Sequence, residues 1–249
     1  MTQWIKAGQV AGLLKPGMTV FVAGATAEPR EILESLALDN EACAGVRFMT
    51  VSIPGINHTD LSALHPEAEA TAFLVTAQTR EAIATGRTDF IPMHYSAIYD
   101  FLKHEIKIDA VLLQLPPAGS GGMTSLGISV DFIPAVIDRA GLVIGEINTR
   151  QPAPADAPIL AFSKLDYALA CDRPVPAFDR TDISDIASRI GQHVASLIND
   201  SDCIQVGIGA IPDASLASLS AKNDLGIHSG MITDAVMALA QAGNINGRS

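Results

Sequence analysis

The run IDAVLLQL at 108–115 constrains the fold more than any other stretch, because apolar residues stand at successive positions across its centre. A strand with one face in water alternates polar and apolar residues, so a run apolar at neighbouring positions is buried on both faces. Other runs of the same kind stand at 19–23 (TVFVA, after a Lys15-Pro16-Gly17 turn), 46–53 (VRFMTVSI), 71–75 (TAFLV) and 142–147 (LVIGEI). Between them lie stretches of helical character. In 29–38 the apolar residues Ile32, Leu33, Leu36 and Ala37 fall on one helical face. Segments 79–85, 96–103 and 131–140 also read as helices. Doubly buried strands alternating with helices predict an α/β fold, a mainly parallel sheet with helices on both faces.

The composition suits such a core. Of 249 residues, 48% are hydrophobic and 17% charged, which argues against disorder, while 14 prolines and 20 glycines supply the turns. The net charge is -11 and Lys and Arg are nowhere clustered, so a nucleic-acid groove lacks its electrostatic basis. Net charge does not exclude a small anionic ligand, because local backbone dipoles can outweigh it. Cys43, Cys171 and Cys203 are too far apart for a zinc motif or a disulfide framework, and are expected as buried free thiols in a reducing compartment. The N-terminus MTQWIKAGQV shows no signal-peptide pattern and the apolar runs are shorter than a membrane span. The expected setting is cytoplasmic, without membrane contact.

Segment 151–158 (QPAPADAP) reads as a loop within the first domain. A stronger boundary follows Arg173-Pro174-Val175-Pro176, where a long amphipathic helix over 182–199 is predicted. Its stripe is Ile183, Ile186, Ile190, Val194, Leu197 and Ile198, with Thr181 or Asp182 as its cap. A strand at 203–208, a helix at 212–219, a strand at 225–228 and a helix at 233–242, ended by Gly243, complete the pattern. The expectation is a first domain over 1–180 and the beginning of a second, similar domain over 181–249. Two strands and two short helices cannot close a doubly covered sheet, so the second domain is expected to be incomplete. That predicts a fragment, a truncated gene or half of a split enzyme, with exchange between two copies as a further solution. The exposed apolar surface of a half-built domain predicts association, as a homo-oligomer or with a complementary C-terminal half.

The segment richest in chemistry is 205–214, QVGIGAIPDA. Gly207 and Gly209 follow a strand and Pro212 can open a helix, an arrangement that lets a ligand approach backbone N–H groups. A GxG turn alone also fits an ordinary tight connection. GxGxxP is not the dinucleotide fingerprint, and the chain has no GKS or GKT, so a P-loop is excluded. It also has no G-x-S-x-G elbow. His58, His65, His94, His104 and His193 show no HxH or HExxH spacing, so no metal site is expected. His193 falls on the polar side of the long helix, and Trp4 is read as a packing residue.

The neighbours of this segment carry a resemblance. They are DLGIH at 224–228, Ser229, Met231, Thr233-Asp234 and Gly243. Upstream stand Gly24-Ala25-Thr26-Ala27-Glu28-Pro29, GRTDFIP at 86–92, Ser125-Leu126-Gly127 and GEIN at 145–148, which is similar to a usual EVN. In this order, over almost the whole chain, they resemble the acetyl-CoA hydrolase/transferase family, which includes acetate and 4-hydroxybutyrate CoA-transferases. The resemblance implies two similar CoA-transferase-like α/β domains with the active site between them. It also implies a short-chain acyl-CoA such as acetyl-CoA as substrate, a carboxylate or water as acceptor, and no permanently bound cofactor. Gly207, Ile208, Gly209, Ala210 and Ile211 would bind coenzyme A, and the Ile211 N–H would donate to the thioester oxyanion. Fixed donors suit a carbonyl that gains negative charge when attacked.

The family's nucleophile is a glutamate in a GIHSE or GIHTE segment, which takes the acyl group and then CoA. Here the segment is Gly226-Ile227-His228-Ser229-Gly230. Gly230 has no side chain, so no catalytic residue is assigned. Three routes stay open: water delivered by a nearby group, a chain that binds without reacting, or a substitute acid among Asp234, Asp213 and Glu146. Each acid also has a structural explanation, as a helix-start residue, a first-turn dipole partner and a hydrogen-bond acceptor respectively. His228 is read as structural, with general base as the other option. A sugar-phosphate isomerase-like domain is the alternative from fold alone, with no matching motif.

Overall fold

Residues 1–178 and 182–246 are described by the structure, a computed structural model. The chain divides into two compact units, 1–178 and 179–249. In order, the first carries β1 (Gln3–Trp4), β2 (Thr19–Val22), α1 (Arg30–Leu38), β3 (Arg47–Thr50), β4 (Glu69–Ala72), α2 (Thr79–Ala84) and β5 (Thr88–Phe90). Next come α3 (Tyr95–Asp100), β6 (Ala110–Leu115), β7 (Met123–Ser125), α4 (Ile133–Val136), β8 (Leu142–Asn148), β9 (Ile159–Ala161) and β10 (Tyr167–Cys171). Eight strands form one sheet in the order β1-β10-β8-β6-β2-β3-β4-β5, and every pairing in it is parallel. The small β7–β9 pair is antiparallel.

Both faces of the sheet are buried, as the apolar runs require. On β6, Val111, Leu113 and Leu115 belong to one apolar cluster, while Ala110 and Leu112 belong to the other. The side chains of a strand alternate in direction, so the two clusters lie on opposite faces. The first cluster includes Ile98, Leu102 and Ile133 from the α3 and α4 side, and the second includes Ile32, Leu33 and Leu36 of α1. This is the doubly covered parallel sheet expected from the sequence.

Several elements differ from expectation. The 131–140 helix contracts to α4, because Asp131 takes a left-handed φ of 38° and 137–139 run out as turns. The helix at 96–103 is α3 followed by a π-helical turn, Phe101–Glu105. The strand at 71–75 starts at Glu69, where it pairs with Arg47, and ends at Ala72. Cys43 and Cys171 are buried free thiols, but Cys203 is exposed, which corrects the expectation of three buried cysteines. Trp4 is 56% exposed and stacks on Phe162 with ring centroids 5.9 Å apart.

The second unit carries α5 (Asp185–Leu197), β11 (Cys203–Ile204), α6 (Ala210–Ala217), β12 (Gly226–Ile227) and α7 (Asp234–Gln241). β11 and β12 pair in parallel, and Leu225 bridges to Ile245. Both strands are shorter than predicted. The cap of α5 is Ser184, whose Oγ accepts the Ala187 N–H at 3.2 Å, and not Asp182; Thr181 lies outside the described residues. The face of α5 is also corrected. Ile186 is 71% exposed and Leu197 80%, and Ile183 is exposed too, whereas Ala187, Gly191 and Ala195 are buried. The small-residue face packs because it lets α6 come close. A Cβ on Gly191 would stand 2.5 Å from the carbonyl oxygen of Ala214. His193 is exposed on this helix. Among the described residues no helix is long and apolar enough to cross a membrane.

Candidate functional site

The segment 205–214 folds as a strand exit, a glycine turn and a helix start. Gly209 takes φ 117°, a backbone state that side chains rarely adopt, and stands immediately before α6. The helix begins at Ala210, two residues earlier than expected, so Pro212 lies inside its first turn instead of opening it. A proline is tolerated there because the first N–H groups of a helix have no intrahelical acceptor. Among the described residues no side chain caps this end of α6. The amides of Ala210 and Ile211 therefore open outward from a helix N-terminus, the polarity that favours an anion or a developing oxyanion. Inside the helix, Ser215 Oγ donates to the Ile211 carbonyl at 2.8 Å and Asp213 N–H donates to the Gly209 carbonyl at 3.1 Å.

The segment that leads to Gly230 is tied to the one that leads into this turn through strand register. Cys203 pairs with Gly226 and Ile204 with Ile227, and the His228 N–H donates to the Ile204 carbonyl at 3.1 Å. Past the strand ends, Ser229 keeps the two segments together: its Oγ donates to the Val206 carbonyl at 2.9 Å and accepts the Val206 N–H at 3.4 Å. Gly230 directly follows Ser229, as Gly207 directly follows Val206. Among the described residues a Cβ on Gly230 would meet nothing within 4 Å, and its φ is not left-handed, so a side chain has room there. Of the substitute acids, Asp213 and Asp234 sit in the first turns of α6 and α7.

Glu146 belongs to the first unit and is fully buried within β8. Its Oε2 accepts the N–H groups of Glu31 at 3.0 Å and Ile32 at 3.1 Å, so a strand carboxylate caps α1. Burial pushes its pKa up to about 6, against the opposing pull of the Ile32 amide, the Cys171 thiol and the Glu31 amide. Burial also raises the Cys171 thiol, which stays protonated beside it. Further along α1, the Arg173 guanidinium grips Glu34 with bonds of 2.9 and 2.8 Å.

The sheet itself marks a second place of interest. From β2 the chain moves outward through β3, β4 and β5, then returns to β6 on the other side of β2. Such a reversal opens a crevice outside the carboxyl ends of the two central strands, where α/β proteins bind ligands. The 24–29 loop leaves β2 there. Gly24 is obligatory, because a Cβ would lie 2.1 Å from the Val51 carbonyl oxygen. Ala25 follows with φ 48° and is held by Asn57, whose Oδ1 accepts the Ala25 N–H at 2.8 Å and whose Nδ2 donates to the Ala25 carbonyl at 3.0 Å. Glu28, 5% exposed, has its pKa raised by burial, with Asn57, Arg30, Thr59 and His58 opposing.

A chain of polar contacts runs beneath this loop. Asn148 Nδ2 donates to Gln114 Oε1 at 2.8 Å, Gln114 Nε2 donates to the Thr26 carbonyl at 2.7 Å, and Thr26 Oγ1 donates to Ser129 Oγ at 2.7 Å. Gln114, Asn148, Asn57 and Ser129 were not singled out by sequence reasoning. The available signal was polar residues at the ends of the most apolar runs, Gln114 in IDAVLLQL and Asn148 in GEIN. Among the described residues no group of three or more His, Cys, Asp or Glu is placed to hold a metal ion.

Fold and loop geometry define a doubly wound parallel α/β domain followed by a unit with a glycine turn at a helix N-terminus. The sequence pattern of the acetyl-CoA hydrolase/transferase N-terminal domain matches residues 1–178, and the chain belongs to that family. It is 31% identical over 230 residues to the 4-hydroxybutyrate coenzyme A transferase of Clostridium kluyveri, covering 92% of this chain and 54% of that protein. It is 31% identical over 250 residues to the succinyl-CoA:acetate/propanoyl-CoA:succinate CoA transferase of Fasciola hepatica, covering 98% and 52%. The chain spans about half the length of these relatives. RipA from Yersinia pestis has the same fold, with a TM-score of 0.87 at 23% identity over 98% of this chain and 59% of RipA.

Proposed function

We propose that the chain is part of a CoA-transferase-like protein that holds a short-chain acyl-CoA thioester, of the acetyl-CoA kind, at Gly207, Ile208, Gly209, Ala210 and Ile211. A carboxylate or water is the acceptor. Residues 181–249 then begin a second CoA-transferase-like domain, and the free thiols suit a cytoplasmic setting. The observation that carries this reading is the convergence of two pieces. The glycine turn offers uncapped amides at the start of α6, and Gly230, next to the Ser229 that bonds to Val206, has open space where a side chain would reach. The Ile211 N–H is the donor to the thioester oxygen as charge builds there.

The reaction cannot pass through residue 230, which has no carboxylate to take the acyl group. Glu146 is a poor substitute, since one oxygen is committed to two amides of α1 and the residue is fully buried. The missing side chain at Gly230 favours a second reading, a non-catalytic CoA-binding or assembly subunit. One experiment separates them: incubation of the chain with acetyl-CoA and labelled acetate or water, following free CoA and label exchange. Turnover supports the enzyme. CoA binding without turnover supports the binding subunit, and absence of CoA binding sinks both. Exchange gained by Gly230→Glu, with the remainder of a relative's length supplied as a second chain, supports the mapping of residue 230. A glutamyl-CoA adduct trapped on the unaltered chain overturns it.

A further inference from the structure

We infer that Gly191, in the middle of α5, is a positioning residue for the 207–211 loop; this rests on the loop being the CoA site. The loop is the entry to α6, and α6 is set by how closely it lies on α5. At the crossing, a Cβ on Gly191 would stand 2.5 Å from the Ala214 oxygen, 2.6 Å from the Ala214 carbonyl carbon and 2.9 Å from the Ser215 nitrogen. All three are backbone atoms of α6, so no side chain can rotate aside. Ordinary contact begins at 3.4 Å, so even a methyl group at 191 forces the helices about 0.9 Å apart. The contact falls only four residues after Ala210, and Ser215, at the same crossing, holds the Ile211 carbonyl through its Oγ. A shift at 214–215 therefore carries to the amides of Ala210 and Ile211. On either side of Gly191 along the helix, the buried residues are Ala187 and Ala195, which continue the small-residue face.

A displacement of this size is large for a site built from backbone donors, because a hydrogen bond needs its donor and acceptor within about 2.7–3.2 Å. Alanine is a better helix former than glycine, so loss of function in Gly191→Ala cannot come from a weakened α5. The residue acts through α6 and touches no ligand.

The test compares the unaltered chain, Gly191→Ala and Gln192→Ala, the last an exposed position on the same helix. CoA binding is measured by calorimetry and the backbone amides by nitrogen-15 NMR. Gly191→Ala is expected to weaken CoA binding about tenfold, as the loss of one hydrogen bond would, and to move the amide signals of Gly207, Gly209 and Ile211. Gln192→Ala changes neither. If the unaltered chain does not bind CoA, the proposed function fails while the amide signals still decide whether Gly191 sets the loop. Shifts confined to Ala214 and Ser215, or unchanged CoA affinity in a chain that binds it, overturn the inference. Loss of the dispersed signals of the whole second unit makes Gly191 a folding residue and overturns it equally.

Discussion

Replacing Glu146 by glutamine tests the energetics of the buried carboxylate that caps α1. The folded pKa is about 6 against an ordinary 4.5. A carboxyl raised in this way binds its proton more tightly in the folded chain than in the unfolded one. Its contribution is most favourable below pH 4.5, declines as pH rises to about 6, and is flat above. With about 1.4 kcal/mol per pKa unit, the ionised form costs about 2 kcal/mol at neutral pH relative to a neutral group. Glutamine is neutral at every pH, and its carbonyl oxygen can still accept the Glu31 and Ile32 amides. Glu146→Gln is therefore expected to stabilise the chain by up to about 2 kcal/mol at pH 7.5, with the gain falling to about 0.4 kcal/mol at pH 4.5. Urea unfolding followed by circular dichroism at both pH values measures the difference. Glu146→Ala is the opposite control: it leaves two amides of α1 without an acceptor and should cost about 1–3 kcal/mol. A glutamine variant that is less stable at pH 7.5, by the same amount at pH 4.5, would refute the claim that desolvation of the charge dominates.

Gly24→Ala drives a methyl group into the Val51 carbonyl oxygen and should destabilise the first unit by about 3 kcal/mol, read from the urea midpoint. Gly230→Ala meets open space and should change stability by no more than about 0.5 kcal/mol in the same assay, which checks that residue 230 faces a gap. Ser184→Ala removes the cap of α5 and should cost about 1 kcal/mol, seen as faster amide exchange over the first turn of that helix.

The alternation of doubly apolar runs with helical stretches was legible without coordinates, because burial on both faces leaves its mark on neighbouring residues. So was the glycine turn at 207–211, since strand, glycine and helix start are local features. Strand order was not legible. Nothing in TVFVA says that β2 lies at the centre, between β3 and β6, because pairing joins residues far apart in the chain. The same limit hid the partner of Glu146, 114 residues from Ile32. It also hid the polar chain from Asn148 to Ser129, whose members become neighbours only once four separate segments converge. The long helix of the second unit makes the point most sharply. Periodicity correctly predicted an apolar stripe on α5, but not which face would be buried. Ile186 and Leu197 stay exposed while Gly191 takes the contact. Hydrophobic spacing records which residues share a face, whereas burial depends on how near another backbone can come, and at this crossing a residue without a side chain allows the closest approach.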